Sequence, residues 1–157
     1  MLPDRHTDEL TIDDLGPGWE ETKRALDAVQ ADLSRTVPGA PRLLLLWRNA
    51  DPTRASNEAD VPDGRWAYIG KARDWYFGAN GGFALPREYA NAVQAIASDV
   101  SDAVVDTLLG YYAYWPHCPD DDCALEVRLD AERRCWWSCR AGDHNVGEVG
   151  HLPTPAS

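Results

Sequence analysis

At 157 residues the chain has the size of one globular domain, able to withdraw roughly two-thirds of its unfolded surface from water. Its 26 acidic side chains against 15 basic ones leave a formal charge of -11, a field that repels phosphate backbones and anionic lipid and makes nucleic acid an unfavourable partner. No apolar run approaches the roughly 20 residues of a membrane span, and the first residues lack the apolar stretch of a secretion signal, so the cytoplasm is the expected compartment.

Residues 1–18 are polar and acidic and end in Gly16-Pro17-Gly18, the mark of a flexible acidic arm. From Trp19 the apolar positions Trp19, Leu26, Val29 and Leu33 recur at helical intervals, with Thr22 and Ala25 on the same side. This predicts an amphipathic helix that Pro38-Gly39 stops. The run Leu43-Leu44-Leu45-Leu46-Trp47 is too short for a helix between Pro41 and Pro52 and reads as a buried central strand over 42–48. Residues 51–64 have no periodicity and read as a long surface loop. Strands follow over 65–70 and 73–78, and Asn80-Gly81 turns the chain into another at 83–85, which makes an antiparallel sheet. Pro86 opens a second helix whose stripe of Tyr89, Val93, Ile96, Val100, Val104 and Leu108 runs to Gly110. Its other face carries Glu88, Asp99, Asp102 and Asp106. Carboxylates at such spacing can bind a cation, but without a second set of ligands nearby they read as a solvated helix face.

All four cysteines lie between positions 118 and 139: Cys118, Cys123, Cys135 and Cys139, separated by four, eleven and three residues. Thiols in a reducing compartment stay free unless a metal or catalysis uses them. Zinc takes four soft or borderline ligands in a tetrahedron, and two short Cys pairs on adjoining hairpins can supply them. The expected site is therefore a structural Zn2+ held by Cys118, Cys123, Cys135 and Cys139, with disulfides or unliganded thiols as the alternatives. The gaps are looser than the two-residue spacing that turns backbone amides toward the sulfurs. His117, His144 and His151 are close in sequence and are equally acceptable ligands. Cys135 can instead be an ordinary buried thiol in the Trp136-Trp137 strand, with His144 completing the site. The alternating segment Leu125-Glu126-Val127-Arg128-Leu129 is the strand a ribbon places between its Cys pairs. The fold class is α+β: a small antiparallel sheet, two main helices and a C-terminal zinc-ribbon-like β hairpin module. The chain divides into an arm (1–18), an α+β core (19–110), the zinc-ribbon-like module packed on it (111–152) and a tail (153–157).

Trp115-Pro116-x-Cys118-Pro119, Cys123-x-Leu125, Trp137-x-Cys139 and Val146-Gly147-Glu148-Val149-Gly150 resemble the C-terminal signature of small uncharacterised zinc-ribbon-like proteins of high-GC bacteria. The resemblance covers the C-terminal segment and the helix before it. It implies His as a frequent residue at position 123 and no Cys at 135, which favours Cys118, Cys123 and Cys139 as ligands, and it implies no activity.

Four cysteines close the zinc shell, whereas a catalytic zinc keeps a position open for water. With only three ligands, a carboxylate among Asp120, Asp121 and Asp122, or His117, could act as base in a zinc hydrolase. The motifs of metalloproteases, deaminases, serine hydrolases and phosphate-binding loops are missing from the sequence. Residues 110–157 hold four basic side chains (Arg128, Arg133, Arg134, Arg140) against eight acidic ones, which opposes a phosphate-tracking surface. The exception is Arg133-Arg134 beside Trp136 and Trp137, where stacking plus charge could hold a single strand, although a core strand with a charged edge fits better. The expected function is a small acidic zinc-stabilised interaction module. Its partner would be a protein with a basic face, anchored by Trp66, Trp75 or Trp136. A zinc hydrolase with an open metal site is the second reading and an acidic nucleic-acid-mimicking inhibitor the third.

Overall fold

The computed structural model describes residues 10–11, 19–50, 53, 65–69, 82–85, 88–107 and 114–153. In chain order these form β1 (Leu10–Thr11), α1 (Glu20–Thr36), β2 (Leu45–Asn49), β3 (Arg65–Ile69), β4 (Phe83–Leu85), α2 (Tyr89–Thr107), β5 (Leu125–Leu129), β6 (Cys135–Cys139) and β7 (His144–Glu148). The fold is α+β. Two helices accompany two antiparallel sheets, one ordered β1-β2-β3-β4 and one ordered β5-β6-β7.

Helix α1 opens with Glu20 and Glu21 at its positive end and carries Arg35 in its last turn, a charge order that suits the helix dipole. It stops where the Val37 N–H donates to the Leu33 carbonyl and Pro38 cannot extend the ladder. Its buried face is Thr22, Ala25, Leu26, Val29, Asp32 and Leu33, the predicted stripe with one aspartate added. Helix α2 packs on α1 and buries the predicted Val93, Ile96, Val100 and Val104. In the first sheet the pairs Leu45↔Ile69 and Ala67↔Phe83 place these four residues on one face, and all four join the core.

Two expectations change at the first sheet. The acidic arm contributes β1, which pairs Leu10 with Trp47 and Thr11 with Leu46 along an edge of β2 that would otherwise be unpaired. The second strand begins at Leu45 rather than at residue 42. The rest of the arm, the strand expected over 73–78, the Asn80-Gly81 turn, Trp75, Pro86, Leu108, Gly110, the tail from 154 and all of the 51–64 loop except Thr53 lie outside the described residues.

The C-terminal sheet is fastened to α1 by an aspartate. Asp32 is 0% exposed, and its Oδ2 accepts hydrogen bonds from Trp137 Nε1 at 2.7 Å and the Gly150 N–H at 2.6 Å. Its Oδ1 accepts from the Leu152 N–H at 2.9 Å. Arg35 adds a bond from Nη1 to the Leu152 carbonyl, and Trp115 Nε1 donates to Thr36 Oγ1. Trp137 and Trp115 meet edge to face, their ring centroids 5.7 Å apart, and both enter the same buried cluster as α1, α2 and the first sheet. A buried carboxylate is stable in such a place because N–H donors surround both its oxygens and the Arg35 guanidinium stands 3.4 Å from Oδ1.

Candidate metal centre

Two short turns and one bulge build the site. Residues 116–118 run antiparallel to 123–125: the Cys118 N–H donates to the Cys123 carbonyl, the Leu125 N–H to the Pro116 carbonyl, and His117 bridges Ala124. Cys118 and Cys123 thus stand at the two ends of one tight loop. Across the sheet, β6 pairs with β7 as Trp137↔Gly147 but then as Ser138↔Asn145 and Cys139↔His144, so Val146 is passed over. A bulge of this kind turns a strand by one residue, and here it sets His144, not Asn145, opposite Cys139 on the same face.

The donor atoms of Cys118, Asp121, Cys139 and His144 all lie within 4.8 Å of one another. Cys118 Sγ is 3.8 Å from His144 Nε2. Around a tetrahedral zinc with bonds of about 2.3 Å to sulfur and about 2.0 Å to nitrogen, a sulfur–nitrogen edge is about 3.5 Å, so this pair is within a few tenths of an ångström of the separation a shared zinc requires. Cys123 Sγ lies outside that group but comes to 2.7 Å from Cys139 Sγ, closer than the roughly 3.8 Å between two sulfurs on one zinc, so the pair must part by about 1 Å for both to bind the same ion. Asp121 Oδ2 is 3.4 Å from Cys139 Sγ and 3.9 Å from His144 Nδ1. Asp121 thus faces the same cluster as Cys118, Cys139 and His144 and is itself a candidate ligand.

Backbone amides complete the arrangement. The Asp121 N–H donates to Cys118 Sγ at 3.4 Å and the Gly142 N–H to Cys139 Sγ at 3.3 Å. Cys118 and Cys139 therefore each receive an amide from three residues onward, the service that closer Cys spacing provides elsewhere; Asp121 and Gly142 supply it here. Gly142 also packs against the donors: a Cβ on it would fall 2.5 Å from Asp121 Oδ2 and 2.6 Å from His144 Nδ1.

The chain matches no family model, no curated protein and no solved structure. What the site can do is therefore read from its own chemistry. Cys118, Cys123 and Cys139 are brought together, and Cys135 is not. It starts β6 opposite Leu129, four residues from Cys139, which at about 3.3 Å per residue is about 13 Å away. Burial pushes the Cys135 thiol up to about 11, the behaviour of an inert core cysteine. His117 is exposed; it contacts Asp122 Oδ1 at 3.0 Å and stacks on Tyr114. The bond with His117, then that from the Tyr114 hydroxyl, holds Asp122 below the usual carboxylate range, while Tyr114 is raised by the same Asp122 contact. His151 is exposed as well, its N–H donating to the Glu148 carbonyl. The hydrogen bond shared with Cys123, followed by burial, raises Cys139.

Of the tryptophans expected to anchor a partner, Trp66 is 5% exposed and so belongs to the interior. Trp136 is half-buried, donates to Asp130 and lies under Arg134. An open groove of 290 Å³ runs between α2 and β5, lined in part by Ser98, Ser101, Asp102, Glu126 and Trp137, and it includes none of the clustered thiols or His144.

Proposed function

We propose that the protein is a small acidic interaction module whose C-terminal sheet is closed by a structural zinc on Cys118, Cys123, Cys139 and His144. The observation that carries this reading is the clustering of the Cys118, Cys139 and His144 donors beside Asp121, with Cys118 and His144 near a tetrahedral edge and Cys123 Sγ 2.7 Å from Cys139 Sγ. Three thiolates and an imidazole form a borderline-soft set that suits zinc better than magnesium or calcium. Four protein donors leave no coordination position for a reacting water, and the groove beside α2 is lined by other residues, so a hydrolase has less support. The exposed Asp120, Asp122 and Asp143 surround the turns that carry the donors, and with the net charge of -11 they favour a protein partner with a basic face. On this reading the ligand thiols stay reduced, which suits a reducing compartment such as the cytoplasm.

The test is elemental analysis of protein purified without chelator. About one zinc per chain is expected, lost in Cys118→Ser, Cys123→Ser, Cys139→Ser and His144→Ala and kept in Cys135→Ser. Absence of metal from a folded, monodisperse sample would overturn the zinc reading. Binding is tested by retaining partners on the zinc-loaded chain at low salt: partners that hold Cys118→Ser equally well would detach the interaction from the metal site.

A further inference from the structure

We infer that Cys123 and Cys139 are a peroxide-sensitive thiol pair whose closure to a disulfide dismantles the metal site; this deepens the zinc reading and rests on it for the metal-release step. Two sulfurs bound to one zinc stand about 3.8 Å apart, while a disulfide brings them to about 2.05 Å. At 2.7 Å, Cys123 and Cys139 stand nearer to the disulfide distance than to the shared-metal distance. Cys123 is half-exposed and Cys139 is buried, so an oxidant from solvent reaches Cys123 first and the second thiol waits behind it. The other cysteines are less suited. Cys118 is buried beside His144, and Cys135 lies at the far end of β6.

The chemistry balances with a hydroperoxide as oxidant. The Cys123 thiolate attacks one peroxide oxygen, the O–O bond breaks, and hydroxide leaves to be protonated by solvent, giving a sulfenic acid on Cys123. The Cys139 thiolate then attacks the Cys123 sulfur. The S–S bond forms, the S–O bond breaks, and a second hydroxide leaves and takes a proton to become water. Two electrons pass from the two sulfurs to the peroxide. A zinc ion on Cys118, Cys123, Cys139 and His144 then loses two of its four ligands and keeps Cys118 and His144 with the Asp121 carboxylate beside them, fewer than the four firm ligands of a structural site.

The experiment treats full-length chain, zinc-loaded and metal-free in parallel, with hydrogen peroxide and follows intact mass, peptide-mapped cross-links and zinc release to a chromophoric chelator. Expected are a loss of about 2 Da in both samples, a Cys123–Cys139 cross-link, and from the loaded sample release of about one zinc per chain, all reversed by dithiothreitol with added zinc. Cys135→Ser should behave as the parent does, and Cys123→Ser should form no cross-link. Oxidation that adds oxygen without a cross-link, a cross-link through Cys118 or Cys135, or zinc retained after the cross-link forms would each overturn the proposal. A chain that binds no zinc yet forms the Cys123–Cys139 link would sink the metal reading alone, since the mass and cross-link arms need no metal.

Discussion

Replacing Asp32 with alanine removes the one acceptor shared by Trp137 Nε1 at 2.7 Å, the Gly150 N–H at 2.6 Å and the Leu152 N–H at 2.9 Å. The site is fully buried, so those donors are left without water unless the C-terminal sheet lifts away from α1. A buried donor without a partner costs about 1–3 kcal/mol, and bonds to a carboxylate are at the strong end. Against that sum stands the desolvation cost of the carboxylate itself, which alanine removes. The net expectation is a loss of about 3–5 kcal/mol, a large share of the roughly 5–15 kcal/mol that holds a domain together. Asparagine keeps the shape and one oxygen but turns an NH2 group toward other donors, so it should recover only part of the loss. Urea unfolding followed by tryptophan fluorescence measures both variants. Trp137→Phe, made alone and with Asp32→Ala, isolates the central bond, for which a coupling of at least about 1 kcal/mol is expected. A loss under about 1 kcal/mol for Asp32→Ala, or additive behaviour of the pair, would refute the view that this carboxylate joins the two parts.

Gly142→Ala should lower zinc affinity about 10–100-fold in a chelator competition, because its Cβ would push Asp121 and His144 out of place. Burial first, and Asp102 nearby, raise Asp99 to about 6, against a lowering by the Gly82 N–H bond. The folded chain therefore holds this proton more tightly than the unfolded one, so the stability contribution falls as pH rises from about 4 to about 6 and stays low above. Asp99→Asn keeps an acceptor for Gly82 and should stabilise by about 2–3 kcal/mol at pH 7 and by nearly nothing at pH 4, as read from thermal melts at both. Asp130, held down at about 2 chiefly by Trp136 Nε1 and then by the amides of Arg134 and Glu132, works in the opposite sense. Its stabilisation is present above about pH 4 and lost as pH falls through about 2, which amide exchange at Glu132 and Arg134 should report.

Helices α1 and α2 are legible in the sequence because their apolar stripes repeat at the helical period over many residues, and β5 because its pattern alternates. Asp32 shows the limit of that reading. It lies three positions after Val29 and seven after Ala25, on the stripe that is buried, so periodicity alone marks it as an interior aspartate. What no local pattern supplies is its partner, Trp137, 105 residues away. Cys135 is a different case. Once residues 135–139 are read as one strand, the rise per residue separates its two end cysteines too widely for one metal, and spacing along the chain is then a poor guide to the ligand set. The choice of His144 depends on a single skipped residue in the β6–β7 ladder, and register shifts of that kind leave no mark on composition or period.

The two fastenings of the C-terminal sheet act at different points on β6, and this sets what each can do. Trp137, in the middle of the strand, is tied to α1 through Asp32, while Cys139, at its end, faces the turns around Asp121 and Gly142. Loss of the donors' metal or closure of the Cys123–Cys139 pair should therefore loosen or re-form the turns at 118–123 and 140–143 and leave the docking on α1 intact. Disruption of Asp32 should do the reverse, freeing a sheet whose turns stay closed. Amide exchange separates the cases, because local opening protects and exposes different groups. Chelation should speed exchange at the amides of Asp121 and Gly142 while those of Gly150 and Leu152, bonded to Asp32, stay slow. If all four accelerate together, the metal and the aspartate hold a single cooperative unit, and the turns cannot serve as a local switch.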